Sequence, residues 1–402
     1  MRVLTATKGE RDLPRWFPNA FEVLKGMKAG RVDVALPDGR LFRAEGPEAG
    51  PSGRIDVRNP GLFARVARDG ETGFAEAYMD GWWDTPDLQA LLDVLLMNNG
   101  EVGRAVPGAA LVRAYERLRH WLNRNSRAGS RRNIAAHYDL GNSFYRLWLD
   151  ETMTYSAAMF GGAPEPLEAA QRRKYASICD MIGVRPGQHL LEIGCGWGGF
   201  AEFATRERGA RVTGLTISRQ QHDFARKRLF DAGLAERAEI VMRDYRDERG
   251  RFDGVASIEM FEAVGERYWP VYFRSLRDRL GDGARAALQV ITVDDGLFDG
   301  YRKGADFVQK HIFPGGMLPS PSALRREFGS AGLREVGEIR FGESYSETLR
   351  LWYRTFNDRW HEIATLGFDD RFRRMWNFYL ASCAACFRSG TTDVTQVTLV
   401  RA

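Results

Sequence analysis

The sequence predicts an α/β protein: a doubly wound, mostly parallel sheet with helical additions, preceded by a small N-terminal α+β domain. Three observations predict it. Apolar segments of strand length recur at His189–Ile193, Arg211–Ile217, Glu239–Arg243, Asp253–Ile258 and Ala286–Val293, with helical stretches between them. That alternation builds a parallel sheet. A glycine-rich turn closes the first of these strands, where such a sheet binds ligands. Finally, 402 residues exceed one ordinary domain, so a second unit is expected.

Residues 1–100 make the smaller unit. Arg31–Leu36 and Arg40–Arg43 flank Pro37-Asp38-Gly39 and read as a hairpin. Pro86–Met97 reads as a helix, with Thr85 as N-cap and Pro86 at the first helical position. Residues 101–132 form a connector, with helical spacing over Ala109–Leu122. Residues 133–402 form the main domain. Its C-terminal part is helical over Ser346–Thr365 and Asp370–Arg388, and Gln396–Val400 is expected as a strand at the sheet edge.

Composition narrows the class. At 44% apolar residues, the chain can build real cores. Cys179 and Cys195 are isolated, and Cys383 and Cys386 lie in the apolar run Trp376–Phe387. A zinc site would need two further ligands nearby, so these read as packed thiols in a reducing cytoplasm. Met1–Pro18 has no apolar core of a secretory signal, and no run approaches the length of a membrane span. Any membrane contact is therefore expected to be peripheral. The connector between Glu101 and Arg132 holds eight arginines and two glutamates, a local charge of +6 in a chain of +5. Charge alone allows a solvated hinge or a basic face for anionic lipid or nucleic acid.

The sharpest local signal is Leu190-Leu-Glu-Ile-Gly-Cys-Gly-Trp-Gly-Gly199. Glycines allow the backbone to approach a ligand without Cβ atoms. The spacing is G-x-G-x-G, not the dinucleotide G-x-G-x-x-G, and Thr216 stands where an NAD ribose would want an acid. The loop resembles motif I of class I, Rossmann-like methyltransferases, which implies S-adenosyl-L-methionine as cofactor.

Four further segments carry a narrower resemblance: His137–Ser156, Gly214–Gln221, Met260–Gly265 and Phe307–Ser320. Together with the loop they resemble the cyclopropane-fatty-acyl-phospholipid synthase family, in order and at family spacing across residues 133–402. The resemblance implies that Tyr155 and Ser156 touch the methionine part of the cofactor. It implies that Gly194 and Gly196 line it, that Thr216 and Gln221 hold its ribose side, and that Tyr245 covers the adenine. It also implies an enzyme that transfers a methyl group to the double bond of an unsaturated phospholipid acyl chain.

Such a transfer leaves a carbocation, which aromatic faces can stabilise and from which a base must take a proton. Cyclopropane-forming relatives use bicarbonate, held by Cys, Glu, His, an Ile backbone and Tyr. Glu262, Ile291 and Tyr345 match that set. Ala157 replaces the Cys and Gln289 the His, which puts bicarbonate in doubt. Glu259 replaces a usual Gly, as in relatives that make methyl-branched chains. The expected catalytic residues are therefore Glu262, Tyr345, Glu259 and Gln289. The expected product is a methylated alkene, a precursor of methyl-branched fatty acids; closure to a cyclopropane is the alternative.

The expected place is the inner face of a bacterial membrane, with the basic connector on anionic headgroups and Trp82-Trp83 or Phe298 and Tyr301 at the interface. The resemblance leaves room for a homodimer and a downstream redox enzyme. Nucleic acid is not an expected partner, because the Asn/Asp-Pro-Pro-Tyr/Phe signature is absent.

Overall fold

The structure, a computed structural model, describes residues 3–98 and 140–402. The connector, its expected helix and His137 lie outside the described residues.

The chain divides into two compact units. The first is not contiguous: residues 303–312 and 360–389 cluster with the N-terminal region. The division expected at residues 100 and 133 missed this. Its cause is packing. Helix Asp370–Ser389 lays Phe378 against Phe74 and Tyr78, and Phe307 against Phe378 at 4.9 Å. An amphipathic helix goes where its apolar stripe is covered, whatever its place in the chain.

Among the described residues, five strands make this unit's sheet, in the order β1-β3-β2-β4-β5: β1 Val3–Leu4, β2 Ala29–Ala35, β3 Leu41–Glu45, β4 Glu48–Val57 and β5 Trp83–Asp84. The expected hairpin is β2–β3, closed by Gly39 at φ 88°. Arg43 grips Asp33 across it with two hydrogen bonds, at 2.7 and 2.9 Å. Phe17 and Phe21 of helix Phe17–Lys25 pack on Phe42.

The expected helix begins later, at Leu88, and its cap is Asp87 rather than Thr85: Asp87 Oδ1 accepts from Ala90 N–H at 2.9 Å. Asp is the stronger cap and sits at the required spacing. Trp83, expected at a membrane interface, is fully buried, and its indole N–H donates to the Phe74 carbonyl. Trp82 is half-buried under the Arg65 guanidinium.

Among the described residues, the second unit holds a seven-stranded sheet in the order β11-β12-β10-β9-β6-β7-β8. Strands β6 (His189–Ile193), β7 (Arg211–Thr216), β8 (Ala238–Met242) and β9 (Phe252–Ile258) are parallel, as is β10 (Leu280–Val293) to β9. Apolar burial on both faces, as in Leu190, Leu191 and Ile193, suits a sheet covered by helices. The last strand, β12 (Thr392–Arg401), is not at the edge. It inserts antiparallel between β10 and β11 (Leu333–Arg340). Val394, Val397 and Leu399 are buried, whereas in β11 only Leu333 is buried and the charged Arg334, Glu338 and Arg340 are exposed, as suits an edge. Phe298, a second expected interface residue, is buried in this unit's core, while Tyr301 is half-buried.

Among the described residues no helix is long and apolar enough to cross a membrane. The four cysteines are free, and Cys383 and Cys386 are half-buried on helix Asp370–Ser389.

Candidate active site

Segment 150–158 meets the carboxyl ends of β9 and β10 through Ala157, which bonds to Glu259 and Gln289, and the loop after β6 is held to β7 at the Leu215 carbonyl. Gly194 and Gly196 follow β6 with φ of 82° and 51°, the left-handed region that favours glycine. They differ in what surrounds them. A Cβ on Gly194 would lie 2.5 Å from Met260 Cγ, while one on Gly196 would meet nothing within 4 Å. The loop is therefore packed on its inner side and open at Gly196. That cradle fits a ligand laid along the backbone, as S-adenosylmethionine requires.

Thr216 ends β7 and hydrogen-bonds to Gln221 at 3.1 Å, both buried at the start of helix Arg219–Asp231. Ser218 caps that helix. Tyr245 opens a short turn after β8, with its ring edge-on to Tyr272 and beside the Arg246 guanidinium. Ser156 is buried. Its carbonyl accepts from Gln171 at 3.1 Å, and its hydroxyl from Lys174 Nζ at 2.6 Å.

Glu259 is the hub of a buried hydrogen-bond cluster. It follows β9 at φ 49°, an unusual backbone for a residue with a Cβ. Its own N–H donates to the Gln289 carbonyl at 2.9 Å, which holds that turn against β10. Glu259 Oε1 accepts from Ala157 N–H at 2.8 Å and Gln289 Nε2 at 2.7 Å, and Oε2 accepts from Tyr345 O–H at 2.7 Å. Strain of this kind persists where surrounding bonds over-determine it. Burial raises the Glu259 carboxyl above its usual range, and the Lys174 charge and these three donors offset that only in part.

Glu262, three residues on, is raised as well and has fewer donors on its carboxyl. Its Oε1 accepts from Ile291 N–H at 2.6 Å, while its buried Oε2 has no partner among the described residues. Burial first, and then the Glu259 charge, push it up to about 8. Two neighbouring carboxyls whose environments differ divide into a base and a protonated acid.

Bicarbonate does not fit this arrangement. The Ile291 N–H is taken by Glu262. The Tyr345 hydroxyl and the donors at positions 157 and 289 are taken by Glu259. The lost Cys at 157 matters less than its side chain suggested, because the backbone N–H is the donor used.

Aromatic rings wall the same region. Tyr155 lies 5.4 Å from Trp352 and 5.5 Å from both Tyr145 and Trp148, with Phe313 at 6.3 Å. Tyr345 lies 6.3 Å from Trp352, which joins this wall to Glu259.

Two buried groups escaped sequence reasoning. Gln396, in β12, pairs in register with Gln289 and donates to its Oε1 at 3.0 Å; Ser177 donates to Gln396 Oε1 at 2.6 Å. That chain turns the Gln289 amide so that its N–H faces Glu259. Lys174 is the other, a lysine with no exposed surface. Its sequence signal was a charge at a helix position that should be apolar.

The fold and the cradle define a class I S-adenosylmethionine-dependent methyltransferase. The model of the family described as mycolic acid cyclopropane synthetase matches residues 125–397, and the chain belongs to that family. It is 42% identical over 389 residues to tuberculostearic acid methyltransferase UfaA1 of Mycobacterium tuberculosis, covering 90% of this chain and 87% of that one. It is 32% identical to the cyclopropane-fatty-acyl-phospholipid synthase of Escherichia coli, covering 92% and 96%. Among solved structures, the mycolic acid cyclopropane synthase CmaA1 complexed with SAH and CTAB superposes with a TM-score of 0.63 at 28% identity, over 67% of this chain and 97% of that one.

Proposed function

We propose that the protein methylates the double bond of an unsaturated fatty acyl chain of a membrane phospholipid and leaves a methylated alkene, with Glu259 as the base. The observation that carries this reading is the Glu259 carboxylate itself, held by Ala157, Gln289 and Tyr345 where cyclopropane-forming relatives are understood to hold bicarbonate. The similarity to a tuberculostearic acid methyltransferase supports it independently.

Tyr155, Ser156, Gly194, Gly196, Thr216, Gln221 and Tyr245 hold the cofactor in this reading. Bound there, S-adenosylmethionine supplies an electrophilic methyl group, and its transfer to one alkene carbon leaves positive charge on the neighbouring carbon. The rings of Tyr155, Trp352 and their neighbours exclude water and face that charge. Glu259 then accepts a proton from the cation, directly or after a hydride shift along the chain, and the C–H electron pair becomes the new double bond. Gln289 and Tyr345 hold its two oxygens and favour its ionised form against the burial that raises it. Glu262, protonated, anchors the Ile291 backbone and leaves Glu259 the only ionised carboxylate of the pair.

Membrane docking follows from the substrate: acyl double bonds lie within a bilayer, and the basic connector suits an anionic surface. A homodimer and a downstream redox enzyme stay compatible with this reading. The test is transfer of labelled methyl from the cofactor to vesicles. Vesicles of anionic cis-unsaturated phospholipid should take up label, and saturated ones none. Label in both, or in neither, contradicts the substrate assignment.

A further inference from the structure

We propose that Lys174 is a positioning residue for methyl transfer: its buried ammonium fixes the Ser156 hydroxyl as a donor to the carboxylate of the cofactor's methionine part, and its charge favours the ionised form of Glu259. This rests on the reading of Ser156 as a cofactor contact and of Glu259 as the base.

The geometry starts from an anomaly. Lys174 lies on helix Leu167–Ile182 beneath the site, with none of its surface exposed. A buried ammonium is costly unless an anion contacts it, and a methionine would fill the same space. Yet among the described residues Lys174 forms no direct ion pair. Its hydrogen bond goes to Ser156 Oγ at 2.6 Å, and its ammonium lies 4.7 Å from the Tyr175 ring. Glu259, Asp150 and Glu192 act on it only from further off.

An ammonium has donors and no acceptor. Ser156 Oγ must therefore accept from Lys174, and its own O–H is left to donate elsewhere. Gln171 clamps the Ser156 carbonyl, so the residue cannot turn away. The natural acceptor for a buried hydroxyl primed this way is an anion, and the cofactor's amino-acid end carries a carboxylate. The next residue, Ala157, gives its N–H to Glu259. One lysine thus serves two neighbouring positions, one at the cofactor and one at the base. Among the nearby carboxyls, Glu192 is the penultimate residue of β6; its buried Oε2 has no hydrogen-bond partner among the described residues, and burial pushes that carboxyl up to about 8. Burial therefore favours the neutral form of Glu192, and below about pH 7, where Lys174 is protonated, its charge is left to act on Glu259 and on the bound carboxylate.

The experiment is a double-mutant cycle on the full chain with Lys174→Met, Ser156→Ala and both, read as S-adenosylhomocysteine affinity by calorimetry, beside the pH profile of kcat. Each single variant should weaken binding about ten-fold, and the pair should lose no more than the worse single, because both remove one coupled interaction. In Lys174→Met the acid limb of kcat should move to higher pH, since Glu259 has lost its supporting charge. A purely structural lysine would change the melting temperature without moving that limb.

Additive losses, or a Lys174→Met that binds like the wild type with an unmoved limb, would overturn the proposal. An innocuous Ser156→Ala would instead remove Ser156 from the cofactor site, and the proposal with it. If Lys174→Met does not fold, the wild type decides. Burial holds Lys174 down to about 7, so affinity for S-adenosylhomocysteine should fall as pH rises through that value. A flat profile there would overturn the proposal.

Discussion

Gln289 holds Glu259 from two sides: its side-chain Nε2 donates to Glu259 Oε1 at 2.7 Å, and its carbonyl accepts the Glu259 N–H at 2.9 Å. Glu259 is thus tied to the neighbouring strand by both side chain and main chain. Replacing Glu259 by Gln would keep the shape but remove the proton acceptor. The expected outcome is a kcat lower by about 10²–10⁴, the usual scale for a lost general base, with S-adenosylhomocysteine affinity unchanged. Tyr345→Phe strips the donor from Oε2. It should cost about ten-fold in kcat and raise the acid limb of the pH profile by on the order of one unit. A Glu259→Gln enzyme with near-normal turnover would remove Glu259 from the chemistry.

A chain returned to the bicarbonate-holding pattern should change its product. Glu259→Gly clears the carboxylate, Ala157→Cys and Gln289→His restore the two departed side chains, and Tyr345 is left free to hold an external anion. The triple variant is expected to make cyclopropane in proportion to added bicarbonate. Wild-type turnover should not respond to bicarbonate. Stimulation of the wild type by bicarbonate would show that Glu259 does not replace it.

Stability should carry the signature of the buried carboxyls. In the folded chain Glu192 and Glu262 are each raised to about 8 from 4.5. Between those values the fold holds protons that the unfolded chain releases, so their stabilising effect is full below about 4.5 and is lost as pH rises toward 8. Lys174, lowered from 10.5 to about 7, has the opposite slope: stability rises between those two values. The cofactor-free protein should therefore melt at lower temperature at pH 7 than at pH 5, and flatten or recover above pH 8. Glu262→Gln should shrink the fall between pH 5 and 7. An unchanged fall would mean that Glu262 is ionised throughout.

Two glycines of one loop should fail differently. Gly194→Ala drives a Cβ into Met260 and should cost about 2 kcal/mol or more in stability, from clash and left-handed strain together. Gly196→Ala meets open space, so its stability loss should stay near about 1–2 kcal/mol of backbone strain. Its added methyl lies in the cradle, and cofactor affinity should fall. Thermal melts with and without S-adenosylhomocysteine separate the two effects.

Much of this is legible in the residues alone, for a physical reason. The glycine loop, the β2–β3 hairpin and the parallel strands are written in short runs whose chemistry is local. Glu259 is conspicuous because a single position changes from no side chain to a carboxylate. What the sequence does not disclose depends on long-range register. Gln396 meets Gln289 only because β12 inserts between β10 and β11, and nothing in Gln396–Val400 distinguishes an inner strand from an edge. Trp83 and Phe298 look the same in sequence whether they face lipid or, as in this fold, a core. The transfer of residues 360–389 to the first unit is likewise a property of matching apolar faces far apart in the chain.

The most direct test of the central claim is the structure of the product. Unsaturated phospholipid vesicles, methyl-labelled S-adenosylmethionine and the enzyme are incubated, and the acyl chains are analysed by gas chromatography and mass spectrometry before and after mild hydrogenation. The predicted product is one CH2 heavier than the substrate chain and takes up hydrogen as an alkene does. A product of that same mass that resists hydrogenation would be a cyclopropane, and would contradict the role of Glu259 as the base.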